Sequence, residues 1–178
     1  MTPETHVTTH PADGTLETRD GRHVLRYERS LAHPVDRVWA ALTEPDEVRT
    51  WLAEADLDLV LGGRVRLRWL NSDEEGGGAV ATGTVSALDP PHLLELDTEP
   101  HGVLRWELRA DGDATALTLT VTIPAPNEQI ALARSGWHIH LEHLADALDG
   151  RPVDWPRWSA EHRPRWAELH ARYAERDA

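Results

Sequence analysis

The sequence contains no cysteine, no phenylalanine and no lysine, and all 18 of its Lys-plus-Arg positions are arginine. Each absence removes a chemistry. Without cysteine there is no thiol nucleophile, no disulfide and no thiolate-held zinc. Without lysine there is neither a Schiff-base amine nor the phosphate-binding lysine of a Walker motif. Catalysis, if any, falls to His, Asp, Glu, Tyr, Ser, Thr or the backbone. Long apolar runs are also missing and 28% of the residues are charged, which predicts a soluble chain with no membrane partner. The first ten residues, Met1 to His10, show neither the basic nor the apolar region of a secretory signal, so the cytoplasm is the expected location.

Positive charge is scarce as well. The net charge of -13 argues against nucleic acid, whose affinity rests on clustered cations releasing counterions. The acid is uneven: after residue 150 there are six arginines against five acids, which leaves 12 arginines against 26 acids before it. Such an excess reads as a solvated, solubilising surface. At 178 residues the length suits one domain.

Residues 1–21 are rich in Thr, Pro, Asp and Gly without periodicity and predict a disordered lead. From His23 to Leu31, alternation of Leu25, Tyr27, Arg29 and Leu31 with polar neighbours predicts a strand. Pro34 then opens a helix whose apolar stripe is Val35, Val38, Trp39 and Leu42. A second short helix carries Val48, Trp51 and Leu52. Period-two writing follows over Leu57, Leu59 and Leu61, and over Val65, Leu67 and Trp69 after the Gly62-Gly63 turn. The polar loop Asn71 to Gly78 leads into Val80 to Leu88. Further strands carry Leu94, Leu96 and Thr98, then Leu104, Trp106 and Leu108, then Leu117, Leu119, Val121 and Ile123. Short turns between consecutive strands predict an antiparallel meander with one dry face.

That face needs a cover. From Asn127 to Asp149, Ile130, Ala133, Trp137, Leu141, Leu144 and Leu148 share one sector of a helical wheel, and Gly150 with Pro152 ends the helix. Residues 151–178 hold Trp155, Trp158, Trp166, Leu169 and Tyr173, which predicts a helical arm packed back on the domain. The expected fold is therefore α+β: an antiparallel sheet of about seven strands gripping a long C-terminal helix, with two short helices after the first strand. The gripping domain spans residues 22–150.

Particular residues strengthen this. His33-Pro-Val-Asp-Arg-Val-Trp39, Leu42-Thr-Glu-Pro-Asp46, Trp51-Leu52, Leu61-Gly-Gly63, Thr82-Gly-Thr-Val85, Pro90-Pro91 with Leu93, and Gly136-Trp137-His138 with Leu141 and Leu144 resemble the START/SRPBCC helix-grip superfamily. The chain is most similar to its branch of homologues of the activator of the heat-shock-protein ATPase. That superfamily contains lipid carriers, polyketide cyclases and hormone-binding proteins, so the resemblance speaks to the fold more than to the activity. Its fold and length are also similar to those of the calicheamicin-type self-sacrifice resistance proteins of actinobacterial enediyne clusters. There the activated drug takes hydrogen from the backbone of the protein, which is then cleaved. Abundant Ala, Arg, Gly and Pro beside absent Lys and Phe fits the GC-rich genome this implies.

A sheet gripping a helix leaves a cavity between them, the usual place for an apolar ligand. The residues expected around it are Tyr27, Trp39, Leu67, Trp69, Leu96 and Leu104 from the strands and first helix. Trp106, Leu119 and Val121 join them from the later strands, and Trp137, His140, Leu141 and Leu144 from the long helix. The indoles offer flat faces to an aryl ligand. His140, about 60° from Trp137 at ~100° per residue, and Tyr27 are the candidate acid/base groups. His138 and His140 point nearly opposite ways on a helix, so no metal site is expected, and His138 is expected to pair with Glu142 at the surface. Asp56, Asp58, Asp111 and Asp113 read as solvated turn carboxylates. Arg64, Arg66 and Arg68 read as a stripe balanced by Asp56 and Asp58.

The expected function is binding of a hydrophobic aromatic or polyketide-like small molecule, without cofactor, by a monomer or weak dimer. Self-sacrifice against an enediyne would need only a well-placed glycine, and Gly83, Gly102 and Gly136 are the candidates. The competing classes are a cyclase or dehydratase using His140 or Tyr27, and a chaperone-ATPase regulator.

Overall fold

The computed structural model describes residues 12–71 and 78–177; the expected loop between Asn71 and Gly78 and the start of the expected lead lie outside these residues. The strands are β1 (Thr15–Arg19), β2 (Arg22–Leu31), β3 (Ala53–Leu57), β4 (Arg64–Trp69), β5 (Val80–Asp89), β6 (Leu93–Glu99), β7 (Gly102–Asp111) and β8 (Ala114–Pro124). They form one antiparallel sheet in the order β1-β2-β8-β7-β6-β5-β4-β3. Helices α1 (Val35–Thr43) and α2 (Pro45–Val48) join β2 to β3, and α3 (Ile130–Leu148) follows β8. A 3-10 turn at Trp155–Arg157, α4 (Trp158–Glu161) and α5 (Arg163–Asp177) complete the chain. This is the helix-grip arrangement.

Register explains the dry face. Leu25 on β2 faces Val121 on β8, then Leu104, Leu96 and Val85 continue across the sheet. One step along, Tyr27, Leu119, Trp106, Leu94 and Leu88 make a second row. Period-two patterning in each strand puts these side chains on one side of the pleat, and all but Leu88 are buried. Full burial of each Leu or Val is worth roughly 1.5–3 kcal/mol relative to exposure.

Three expectations differ from what is observed. The lead of residues 1–21 includes β1, whose five residues pair with β2 and add an eighth strand; alternation is weak there because an edge strand buries little on either side. The strand expected over Leu57, Leu59 and Leu61 ends at Leu57, and Leu59 and Leu61 are 38% and 73% exposed. The backbone turns early, with Val60 N–H donating to Asp58 O at 2.7 Å. Gly63 is required by this turn, because a Cβ there would sit 2.0 Å from Asp58 O. Finally, the arginine stripe of β4 is balanced partly by Glu54, which takes a 2.8 Å bond from Arg68 Nε, while Arg64 pairs with Asp58 at 3.4 Å.

The long helix is buried on two faces. Trp137, Leu141 and Leu144 meet the sheet, while Ile139 packs with Trp158 and Leu169 of the arm in a second apolar cluster. Tyr173 of α5 reaches over α3 and its hydroxyl lies 2.7 Å from His138 Nδ1. The same hydroxyl accepts from Gly14 N–H at 2.9 Å, so the residues before β1 are held between α3 and α5. His138 is consequently 1% exposed, which corrects the expectation of a surface pair with Glu142. The two do approach, at 3.4 Å from His138 Nε2 to Glu142 Oε1, but beneath α5, where Arg165 also donates to Glu142 at 2.7 Å. Burial raises the Glu142 carboxyl but is outweighed by His138 and Arg165, which bring it down to about 2. His138 itself is lowered by burial, opposed by Glu142.

Candidate ligand-binding cleft

A cleft of about 810 Å³ opens beside the first turns of α3. Its sheet wall comes from Trp69 at the end of β4, His101 in the β6–β7 turn, and Val121 and Ile123 on β8. Its helix wall is Leu132, Ala133, Gly136, Trp137 and His140, and the arm closes the third side with Trp158, Arg163 and Trp166. Asn71, Asn127 and Gln129 add amide groups. Such a volume is in the range of small-molecule sites, and the lining combines apolar faces with a few polar groups.

Aromatic contacts order the site. The Trp69 ring meets Trp137 edge-on at 5.6 Å, His140 at 5.4 Å and His101 at 4.9 Å between centroids. The Trp69 indole N–H donates to His101 Nε2 at 2.7 Å, which places the His101 proton on Nδ1. Burial lowers the His101 pKa and keeps the ring neutral. His140 Nδ1–H donates to the Trp51 carbonyl at 3.0 Å. Burial pulls the His140 pKa down to about 4, against the pull of that carbonyl. Next along α3, His143 accepts the Trp158 indole N–H at Nε2, 3.0 Å away. Its pKa is lowered to about 3, first by burial and then by His140 and His162. Among the described residues no group of His, Asp and Glu is arranged to hold a metal ion.

Of the residues expected to line a ligand cavity, Trp69, Val121, Trp137 and His140 meet in the cleft. Leu67, Leu96, Leu104 and Trp106 instead surround a residual space of about 10 Å³, room for a single water at most. Leu119, Leu141 and Leu144 are fully packed core, and Trp39 packs half-buried against that core from α1. Among the described residues the gap between sheet and helix is thus filled around Leu67, Leu96, Leu104 and Trp106 and open at the end bordered by Trp69, Trp137 and His140. Tyr27 lies away from the cleft: its hydroxyl donates to the Arg134 carbonyl at 2.8 Å, and burial raises its pKa well above the usual phenol value. That geometry removes Tyr27 from the acid/base candidates at this site.

The three glycines separate clearly. A Cβ on Gly83 would sit 1.8 Å from Asp97 O, and one on Gly102, where φ is +79°, would sit 2.2 Å from Thr122 O. Both positions answer to backbone packing. Gly136 lines the cleft and has nothing within 4 Å of its would-be Cβ. His101, Arg163 and the amides of Asn71, Asn127 and Gln129 were not foreseen as site residues; a turn histidine and loop amides carry no periodic signal. Trp158 and Trp166 were expected as packing groups, and only the placement of the arm makes them a wall.

The sequence profile described as Activator of Hsp90 ATPase homolog 1-like protein matches residues 32–149. The chain belongs to this family. The match to this family, part of the SRPBCC superfamily, covers strands β3 to β8 and helices α1 to α3, while β1, β2 and the arm lie outside it. Among solved structures, CalU16 from Micromonospora echinospora is 25% identical with a TM-score of 0.61, over 89% of this chain and 98% of that one. DynU16, described as a putative protein in the dynemicin biosynthetic locus, is 26% identical with a TM-score of 0.61, over 72% of this chain and 48% of that one. A conserved protein of unknown function from Enterococcus faecalis, EF2215, shares the fold at 17% identity and a TM-score of 0.68, over 92% of this chain and 89% of that one. No curated protein matches. Among the described residues no helix of this family member is long and apolar enough to cross a membrane.

Proposed function

We propose that the protein binds a hydrophobic, aromatic or polyketide-like small molecule in the cleft. The observation that carries this reading is the wall itself: Trp69, Trp137, Trp158 and Trp166, from a strand, the long helix and the arm, converge on about 810 Å³ of space. Indole faces bury large area at little entropic cost and suit polycyclic ligands. The similarity to DynU16 supports a ligand from the chemistry of an enediyne locus.

Within that reading, the protein acts as a self-sacrifice resistance protein in the cytoplasm. An activated enediyne held in the cleft would take the Cα hydrogen atom of Gly136; the C–H bond breaks, the hydrogen passes to the drug radical, and the glycyl radical is delocalised over both adjoining peptide groups until dioxygen adds to that carbon, the activating thiol reduces the peroxyl radical, and its breakdown severs the chain. Gly136 supports this because no side chain stands over it. Incubation with a thiol-activated enediyne, followed by mass spectrometry of the fragments, is the test. One stoichiometric cut at Gly136 is expected; intact protein, or cuts scattered along the chain, would overturn the self-sacrifice reading. A cyclase or dehydratase is the second reading, favoured by the neutral His140 imidazole on the cleft wall. It requires turnover of a polyketide without loss of protein.

A further inference from the structure

His140 combines burial with an unused hydrogen-bonding atom. It is 4% exposed, yet its ring lines the cleft. A carbonyl oxygen can only accept, so the 3.0 Å contact with Trp51 O places the ring proton on Nδ1 and leaves a lone pair on Nε2. Nε2 has no hydrogen-bond partner among the described residues. The described side-chain atoms that are both sealed from solvent and unpartnered belong to Arg29, Arg134, Arg172 and Asp177, so Nε2 keeps its access to the cleft. Three neighbouring indole donors are committed elsewhere: Trp69 N–H goes to His101, Trp155 N–H to the Arg49 carbonyl at 2.7 Å, and Trp158 N–H to His143.

We infer that the ligand of this cleft carries a hydroxyl, as a phenol or enol, that donates its hydrogen bond to His140 Nε2. The inference rests on the binding reading above and names the chemical class that the site selects. A ligand that displaces water from the cleft without offering a donor leaves a buried lone pair unsatisfied, whereas one that presents only a ketone, ether or carboxylate oxygen sets acceptor against acceptor. An ammonium could also donate, but no Asp or Glu lines the cleft among the described residues and Arg163 stands on its wall, so a buried cation would go uncompensated. A neutral hydroxyl satisfies Nε2 without that cost, and its aryl body lies against Trp69 and Trp137, whose rings are 5.4 Å and 6.4 Å from the His140 ring. The imidazole acts here as a fixed acceptor that discriminates among aromatic ligands.

The test compares a naphthol with the methoxynaphthalene of the same substitution, titrated against the full chain and its His140→Leu variant by tryptophan fluorescence. The wild type is expected to bind the naphthol about ten- to a hundredfold more tightly, as a hydrogen bond to an otherwise unsatisfied buried acceptor implies, and His140→Leu is expected to bind both alike. Equal affinities in the wild type, or a preference that survives His140→Leu, would overturn the inference while leaving the binding reading in place. Failure of both probes to bind the wild type would overturn the binding reading itself, and the inference with it. Nitrogen-15 NMR of the wild type needs no variant: the naphthol should move the His140 Nε2 resonance and the ether should not, and equal shifts would overturn the inference.

Discussion

The Trp158 indole N–H donates to His143 Nε2 across 3.0 Å, joining the C-terminal arm to the long helix inside a buried cluster. Only a neutral imidazole can accept this bond. His143 and His140, with pKa values lowered to about 3 and about 4 by burial, are both neutral near pH 7.

Acid should therefore weaken the fold in a defined window. The unfolded chain protonates these imidazoles near pH 6.5 and the folded chain resists until pH 3 to 4, so the unfolded state holds more protons between those limits. Stability is complete above about pH 6.5 and falls as pH drops, by roughly 3 kcal/mol for His140 at pH 4. Glu142, lowered to about 2, adds a loss of the same sign below about pH 4.5 as its carboxylate begins to protonate in the unfolded chain. Urea midpoints measured from pH 7.5 to 4 should decline across this range; a flat profile above pH 5 would contradict the burial of the two histidines.

The glycines should respond in opposite directions. Gly136→Ala replaces glycine inside a helix where the new methyl meets open space, and should stabilise the protein by about 0.5–1 kcal/mol. The same methyl narrows the cleft and should weaken an aromatic ligand severalfold. Gly83→Ala drives a Cβ to 1.8 Å from the Asp97 carbonyl and should destabilise by more than about 2 kcal/mol. Thermal melts of the two variants against the parent decide the matter.

Trp158→Ala should affect both stability and binding. Its indole is 5% exposed and packs with Ile139 and Leu169, so the loss should be about 3–5 kcal/mol, as for a large buried aromatic. It also leaves His143 Nε2 without its donor and removes part of the cleft wall. Trp158→Leu retains much of the packing and should recover stability more than affinity. Urea denaturation beside ligand titration separates the two; equal recovery of both would assign Trp158 to packing alone.

Much of the fold was legible in the chain. Period-two alternation over Val65, Leu67 and Trp69, or over Leu117, Leu119 and Val121, reports which face of a strand is dry, because successive side chains point to opposite sides. The same rule misplaced Leu59 and Leu61, since alternation does not say where the backbone turns away from its neighbour. His143 is not among the residues between Ile130 and Leu148 that mark the apolar sector of α3, yet it is buried, because the sequence of a helix does not reveal a second partner packed on its other side.

By itself the sequence determined which chemistries are absent, the antiparallel meander and the helix that covers it, since these follow from residue types and local periodicity. Only the tertiary structure decided where the open space lies. Leu67, Leu96, Leu104 and Trp106 face inward as firmly as Trp69 and Trp137, yet the former close on about 10 Å³ and the latter border about 810 Å³. A cavity is what side chains from distant segments fail to fill, and it depends on how strand, helix and arm are set against one another, which periodicity within any one of them does not encode.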